Sequence, residues 1–300
     1  MTQKYIEKQS LIISSIANFI MAVAGYWIFT TTNIQALFLD FFFSLIGFIS
    51  TVVAVVISKK SRIKTKSYPD GLYFLEPLYA IMKSLLVLAL LLVSVLGTST
   101  TAYDYFSKGV GEPMNIAPVL PYAISMVILC FGLSYFNSKQ NKKINNVSTI
   151  LKAESKSNFI DGLQSLGIGV GILILNLIEI KGSLGFLHYT GDFFITAVLV
   201  LFSIKEPVKI LINSFRELSN GTTDDKQIKK HINEVIKPHL SNLSSHTKCD
   251  IFKIGMHIRI RISLDSEVNS YTYTKYTSIR EKVIKELRTH YDSIELVYDF

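Results

Sequence analysis

Long apolar runs separated by short polar ones fill the first two-thirds of the chain, and the pattern changes after Asn220. A membrane-spanning helix needs about 20 mostly apolar residues. Residues 11–29, 34–58, 75–95, 117–136 and 192–212 meet that requirement. Asp40 interrupts the second run, Lys83 the third, and Pro207 lies near the end of the last. Another segment is divided. Residues 163–178 are apolar but too short to cross alone, and residues 149–162 before them keep helical spacing while carrying Lys152, Glu154, Ser155, Lys156, Ser157, Asn158 and Asp161. Polar groups at membrane depth must face protein or water. The two halves predict one helix whose first half lines a cavity, which makes six helices in all.

After Asn220 the periods are those of a small water-facing unit. Ile228, Ile232, Val235, Ile236 and Leu240 follow helical spacing, and a short strand is expected over residues 250–253. Ile254, Met256, Ile258, Ile260 and Ile262 alternate with Gly255, His257, Arg259 and Arg261 as in a half-buried strand. Ile279, Val283, Ile284 and Leu287 mark a second helix, and Ile294, Leu296 and Tyr298 a last strand. The order αββαβ predicts a two-layer α+β sandwich. The expected architecture is a six-helix transmembrane bundle over residues 1–215 followed by a cytosolic domain over residues 216–300. The small core of that second domain would gain from dimerisation.

Composition agrees: 49% of residues are hydrophobic, and the mean hydropathy is +0.35. The net charge of +8 raises the question of nucleic acid. Its placement argues against that partner, because much of it sits in short loops between apolar runs. Lys59, Lys60, Arg62, Lys64 and Lys66 follow the second run, and Lys139, Lys142 and Lys143 follow the fourth. The loops after the first, third and fifth offer none, Lys108 and Lys181. Even-numbered loops are therefore expected in the cytosol, with both termini, in a plasma or inner membrane. Cys130 and Cys249 suggest neither a disulfide framework nor a zinc cluster. The first run has no small-residue cleavage site after it and reads as a retained helix. No phosphate-binding glycine loop or metalloprotease motif is present, so no enzyme is expected. Gly167, Gly169 and Gly171 read as helix-packing positions.

Asp40 and Asp161 carry the candidate chemistry. A charge at the centre of a spanning helix costs roughly 3 kcal/mol or more, so it is kept where it meets water, a partner or a cation. Ser44 and Ser157 each lie four residues from one of them, on the same helical face. Each pair can aim its oxygens at one spot. Small residues are also ordinary at helix contacts, which is the competing use of both serines.

Several motifs resemble the cation diffusion facilitator family of metal exporters. Leu151-Lys152-Ala153-Glu154, then Ser157, Asp161 and Gln164-Ser165-Leu166-Gly167, is similar to that family's fifth helix. Ala36-Leu37-Phe38-Leu39-Asp40 with Ser44 is similar to its second. Asn18, Tyr68-Pro69-Asp70-Gly71, Glu76-Pro77 and Asp192 also fall at family-like positions, the last at the start of helix six. The resemblance implies an αββαβ cytosolic domain of ferredoxin-like type, a homodimer, a divalent metal as cargo, protons as counter-ion and no cofactor. It also implies a four-ligand site from two helices, here Asp40, Ser44, Ser157 and Asp161, with Asn18 and Asn158 as additional donors or as interhelical hydrogen-bonding groups.

The departures set the expected chemistry. Two strong ligands of the family pattern are hydroxyls here, and all six histidines lie outside the apolar runs. Zinc prefers histidine, cysteine and carboxylate in a tetrahedron. An all-oxygen set favours manganese, magnesium or calcium. Loss of half the strong ligands also suits a non-transporting sensing subunit or a heterodimer partner, the alternative reading. Lys83 is expected to snorkel, to pair with Glu206 near the end of the last helix, or to neutralise the site. Glu154 reads as a solvated or capping group near the cytoplasmic mouth, and Asp70 and Glu76 as acids at that mouth. His231, His239, His246 and His257 are candidates for regulatory metal sites of the kind some family members have in the cytosolic domain.

Overall fold

The computed structural model describes residues 3–32, 35–110, 118–179, 181–240, 248–263 and 270–299, and every absence noted below refers to these. Residues 34 and 117, where two expected helices begin, and His246 lie outside them.

The first part of the chain is a helical bundle whose polarity is inverted relative to a water-soluble protein. Its helices are α1 (Gln3–Thr32), α2 (Gln35–Lys60), α3 (Leu75–Lys108), α4 (Val119–Lys143), α5 (Thr149–Asn176), α6 (Leu187–Ser203) and α7 (Lys205–Leu218). On α1, Ile13, Ile16, Phe19, Ile20, Val23 and Trp27 face outward, while Glu7, Ser10, Ser14 and Asn18 are buried. Lipid is a good solvent for the first set and a poor one for the second. Helices α1 to α5 are each long and apolar enough to cross a bilayer. α1 and α2 pack along their length, as do α4 and α5, and α3 lies against α5, α6 and α7.

The observed helix bounds differ in part from those expected. α3 continues beyond residue 95 through Thr98 and Ser99, whose hydroxyls donate to the Ser94 and Val95 carbonyls and so find partners on the helix itself. It stops at Gly109, left-handed at φ 66°, whose N–H bonds the Tyr105 carbonyl. α5 is a single helix, as its polar first half predicts, capped by the Ser148 hydroxyl accepting from the Leu151 N–H at 3.0 Å. The last apolar run is two helices rather than one. α6 ends at Ser203, and Pro207 in the first turn of α7 has no N–H to offer a preceding carbonyl. Asp192 lies inside α6 and does not start it.

α7 closes with a Schellman motif. Asn220 is left-handed at φ 61°, and the Gly221 N–H bonds the Arg216 carbonyl at 2.8 Å. Beyond it lie α8 (Lys226–Leu240), β1 (Lys248–Ile254), β2 (His257–Ser263), α9 (Ser270–Leu287) and β3 (Ile294–Asp299). The sheet order is β1-β2-β3, antiparallel then parallel. Ile228, Ile232 and Ile236 of α8 and Val283 and Leu287 of α9 join Ile258, Ile260, Ile262 and Leu296 in its core. The alternation from residue 254 to 262 does not belong to one strand. Ile254 ends β1, Ile254 and His257 pair, and Gly255-Met256 is the two-residue hairpin turn. Gly255 has φ 58° at its first position, which suits a II′ turn.

That turn reaches the bundle. Lys253, almost fully buried, donates to Thr149 Oγ1 at 2.7 Å and to Glu217 Oε1 at 2.9 Å. Gln3 of α1 and Asp292 exchange backbone–side-chain hydrogen bonds, each 3.0 Å. The sheet domain is therefore fastened to the ends of α1, α5 and α7 by polar groups.

Candidate cation site

Polar side chains recur every three or four residues on the inward faces of the helices. α2 carries Asp40, Ser44, Thr51 and Ser58, and α5 carries Glu154, Ser157, Asn158 and Ser165, all buried, with Asp161 half-buried on the same face. α1 supplies Ser14 and Asn18, α3 supplies Tyr79 and Lys83, and α4 supplies Asn137. Helical spacing thus gathers onto one axis groups that lipid would reject singly.

Near the middle of the bundle, Asp40 Oδ2 accepts from the Tyr122 hydroxyl of α4 at 2.5 Å. Gly25 leaves room there: a Cβ on it would lie 3.1 Å from the Tyr122 oxygen. The charges acting on Asp161 are those of Lys83, Asp40 and Glu154. The Asp40 charge thus reaches Asp161, and Ser44 and Ser157 lie one helical turn from Asp40 and Asp161 respectively. Asn158, 1% exposed, leaves its Nδ2 without a hydrogen-bond partner among the described residues. Asn18 instead donates to Thr51 Oγ1 at 2.9 Å, an interhelical bond.

Glu154 is the largest correction. It is fully buried, not solvated, and accepts from Lys83 Nζ at 2.6 Å, from Thr51 Oγ1 at 3.1 Å and from the Tyr79 hydroxyl. Lys83 therefore neither snorkels nor pairs with Glu206. Glu206 lies at the start of α7, partly exposed, with Lys156 at 3.4 Å. The reason is energetic: an unpaired carboxylate inside the bundle costs far more than one at its rim, so the ammonium goes to Glu154. Glu76 is likewise buried rather than a loop acid. Lys4 bridges it at 2.6 Å to Glu7 at 2.5 Å, and Glu7 accepts from Ser58 and Ser148 at 2.9 Å each.

The sequence pattern also missed two sulfurs. Cys130 of α4 packs against Gly162, where an added Cβ would meet its own at 3.2 Å, and the charges of Asp161 and Asp40 both reach its thiol. That thiol donates to the Met21 sulfur at 3.5 Å. Spacing within one helix does not reveal such a pair, because Met21 and Cys130 meet only across α1 and α4.

The profile described as the cation efflux transmembrane domain matches residues 11–219, well over half of the chain. The chain belongs to the cation efflux family. It is a multi-pass membrane protein, and the relatives in this family transport divalent cations rather than catalyse a reaction. The matched span contains both aspartates, Lys83 and Glu154, and ends where the Schellman turn closes α7. Cation efflux proteins typically work as dimers. No curated protein matches the chain.

Proposed function

We propose that this cation efflux protein exports a divalent metal ion across the cytoplasmic membrane in exchange for protons. One observation carries the reading. The charges of Asp40, Glu154 and Lys83 all reach Asp161, so three acids stand against one ammonium, a formal excess of two negative charges inside the bundle. Two charges are what a divalent ion neutralises, and protons on the same carboxylates are the alternative neutralising species. The donors are Asp40 and Asp161, with Ser44, Ser157 and Asn158 beside them. The Cys130 thiol is held by Met21, which leaves an oxygen-rich set that suits manganese or magnesium better than zinc. Lys83 acts as a tethered cation paired with Glu154.

α6 would complete six crossings, with both termini, the basic loops and a ferredoxin-like domain over residues 216–300 in the cytosol. Two copies would form a homodimer. From the site, buried groups continue toward that side through Thr51, Asn18, the Ser14–Asn137 bond and the Lys4–Glu7–Glu76 cluster. A non-transporting subunit or heterodimer partner has no use for the charge excess.

Proton release tests the exchange directly. Mn2+ or Mg2+ added to detergent-solubilised protein in weak buffer should displace protons, seen with a pH indicator. The Asp40→Ala/Asp161→Ala variant should release none. Equal release by both proteins would reject the two aspartates as the exchange site.

A further inference from the structure

A cavity of about 450 Å3 lies at the sheet-domain end of the bundle, between the start of α5, one face of α7 and the segment leading into α8. Lys152, Lys156, Lys209, Arg216, Lys226 and Lys253 line it, against four acids, Glu206, Glu217, Asp224 and Asp225. The acids are already engaged. Glu217 accepts from the buried Lys253, from Thr149 and from the Gly255 N–H. Asp225 caps α8, accepting from the Gln227 and Ile228 N–H groups at 3.0 and 3.4 Å, with Lys152 at 3.5 Å. Glu206 lies 3.4 Å from Lys156, and Asp224 pairs with Arg216. Lys209 and Lys226 are exposed and make no ion pair among the described residues. The cavity therefore keeps a formal excess of two positive charges.

Apolar surface borders these charges. On α7, Lys209, Ile212 and Arg216 are three and four residues apart in turn, so they share one side of the helix. Ile212 and Phe215 are exposed, and Leu201 and Phe202, exposed at the end of α6, precede them with more surface of the same kind. A small soluble anion would use the lysines and leave the apolar side chains idle. A headgroup with acyl chains attached uses both, and basic pockets at the ends of membrane helices bind such headgroups. We propose that this cavity binds the phosphate headgroup of an anionic phospholipid, with Lys209 and Lys226 as its principal donors and the acyl chains along Ile212 and Phe215. A phosphate monoester carries about −1.5 to −2 charges at neutral pH, which matches the two lysines without acids. The headgroup also competes with Glu206 and Asp225 for Lys156 and Lys152, whose bridges are long. Those bridges join α5 to α7 and to the start of α8. A lipid in the cavity therefore bears on the junction between the bundle and the sheet domain.

The test uses the full chain in detergent, stripped of co-purified lipid, and its outcome does not depend on transport. Dioleoyl phosphatidic acid and dioleoyl phosphatidylcholine are titrated separately, and lipid bound per chain is read by native mass spectrometry. Phosphatidic acid should bind about tenfold or more tightly than phosphatidylcholine. Lys209→Gln/Lys226→Gln removes no ion pair, so the fold is spared, and it should erase that preference. Lys59→Gln/Lys60→Gln, at the basic end of α2, should keep it. Asp224→Asn frees Arg216 and should tighten the binding of phosphatidic acid. Glycerol phosphate at the same concentration as the lipid should not displace it. Equal binding of the two lipids, or a preference kept by Lys209→Gln/Lys226→Gln, would overturn the assignment. So would a preference lost in Lys59→Gln/Lys60→Gln or weaker binding in Asp224→Asn. Displacement by glycerol phosphate would make the cavity a site for soluble anions and overturn the lipid.

Discussion

Lys83 of α3 bonds Glu154 at 2.6 Å, with side chains 5% and 0% exposed. Replacing one member of a buried pair leaves an uncompensated charge, which costs about 3–5 kcal/mol. Lys83→Met should lower stability by about that amount, and adding Glu154→Gln should restore most of it. Unfolding in detergent checks this: equal loss in the single and double variants would show that the two groups are not coupled. Cys130→Ser should leave cation flux near the parent value, because the thiol is engaged by Met21. A collapse of flux would make the sulfur a ligand. In the sheet domain, burial and the His290 ring 4.5 Å away hold His231 below its ordinary pKa, against the opposing pull of Glu234 and Glu286. The neutral ring is favoured in the fold, so its contribution is complete above the unfolded value near 6.5 and is lost as pH falls below it. His231→Gln should therefore flatten the decline in thermal stability between pH 7 and 5. Asp40 and Asp161 were legible as single residues because lipid makes each anomalous. Glu154 was not, since a carboxylate near a helix start looks solvated until the helix packed against it is known.

The α5 helix shows why its period was readable and its partners were not. Glu154, Ser157, Asn158 and Asp161 recur at helical spacing, so one polar face follows from the sequence alone. Which helices that face meets is a matter of packing. The break between α6 and α7 was foreshadowed by Pro207, but hydropathy continues across it. In the sheet, apolar alternation runs through a hairpin turn, because Ile254 and Met256 keep the period while Gly255 reverses the chain. Gly255 makes the sharpest prediction at this scale. Its φ is 58°, and a Cβ would lie 2.7 Å from the Tyr73 carbonyl and 2.8 Å from Glu76 Oε2. Gly255→Ala should cost about 2 kcal/mol or more and loosen the sheet from the start of α3. Protease cleavage between α7 and α8 should rise. Unchanged cleavage and stability would show that the turn is not a joint.

Across the whole molecule, the same imbalance recurs at each level: apolar surface outward, acids inward, and ammonium groups placed on only some of them. Lys83 and Lys4 each answer part of a buried carboxylate cluster. What they leave uncompensated at Asp40 and Asp161 is the proposed driving force for taking up a cation. The measurement that tests this most directly is cation flux into proteoliposomes under an imposed pH gradient. Manganese, iron, cobalt, zinc, cadmium, magnesium and sodium are compared, with the Asp40→Ala/Asp161→Ala protein as control. Proton-dependent flux of a divalent ion in the parent, absent from the variant, is the predicted result. No flux of any ion by folded parent protein, or equal flux by both proteins, would contradict it.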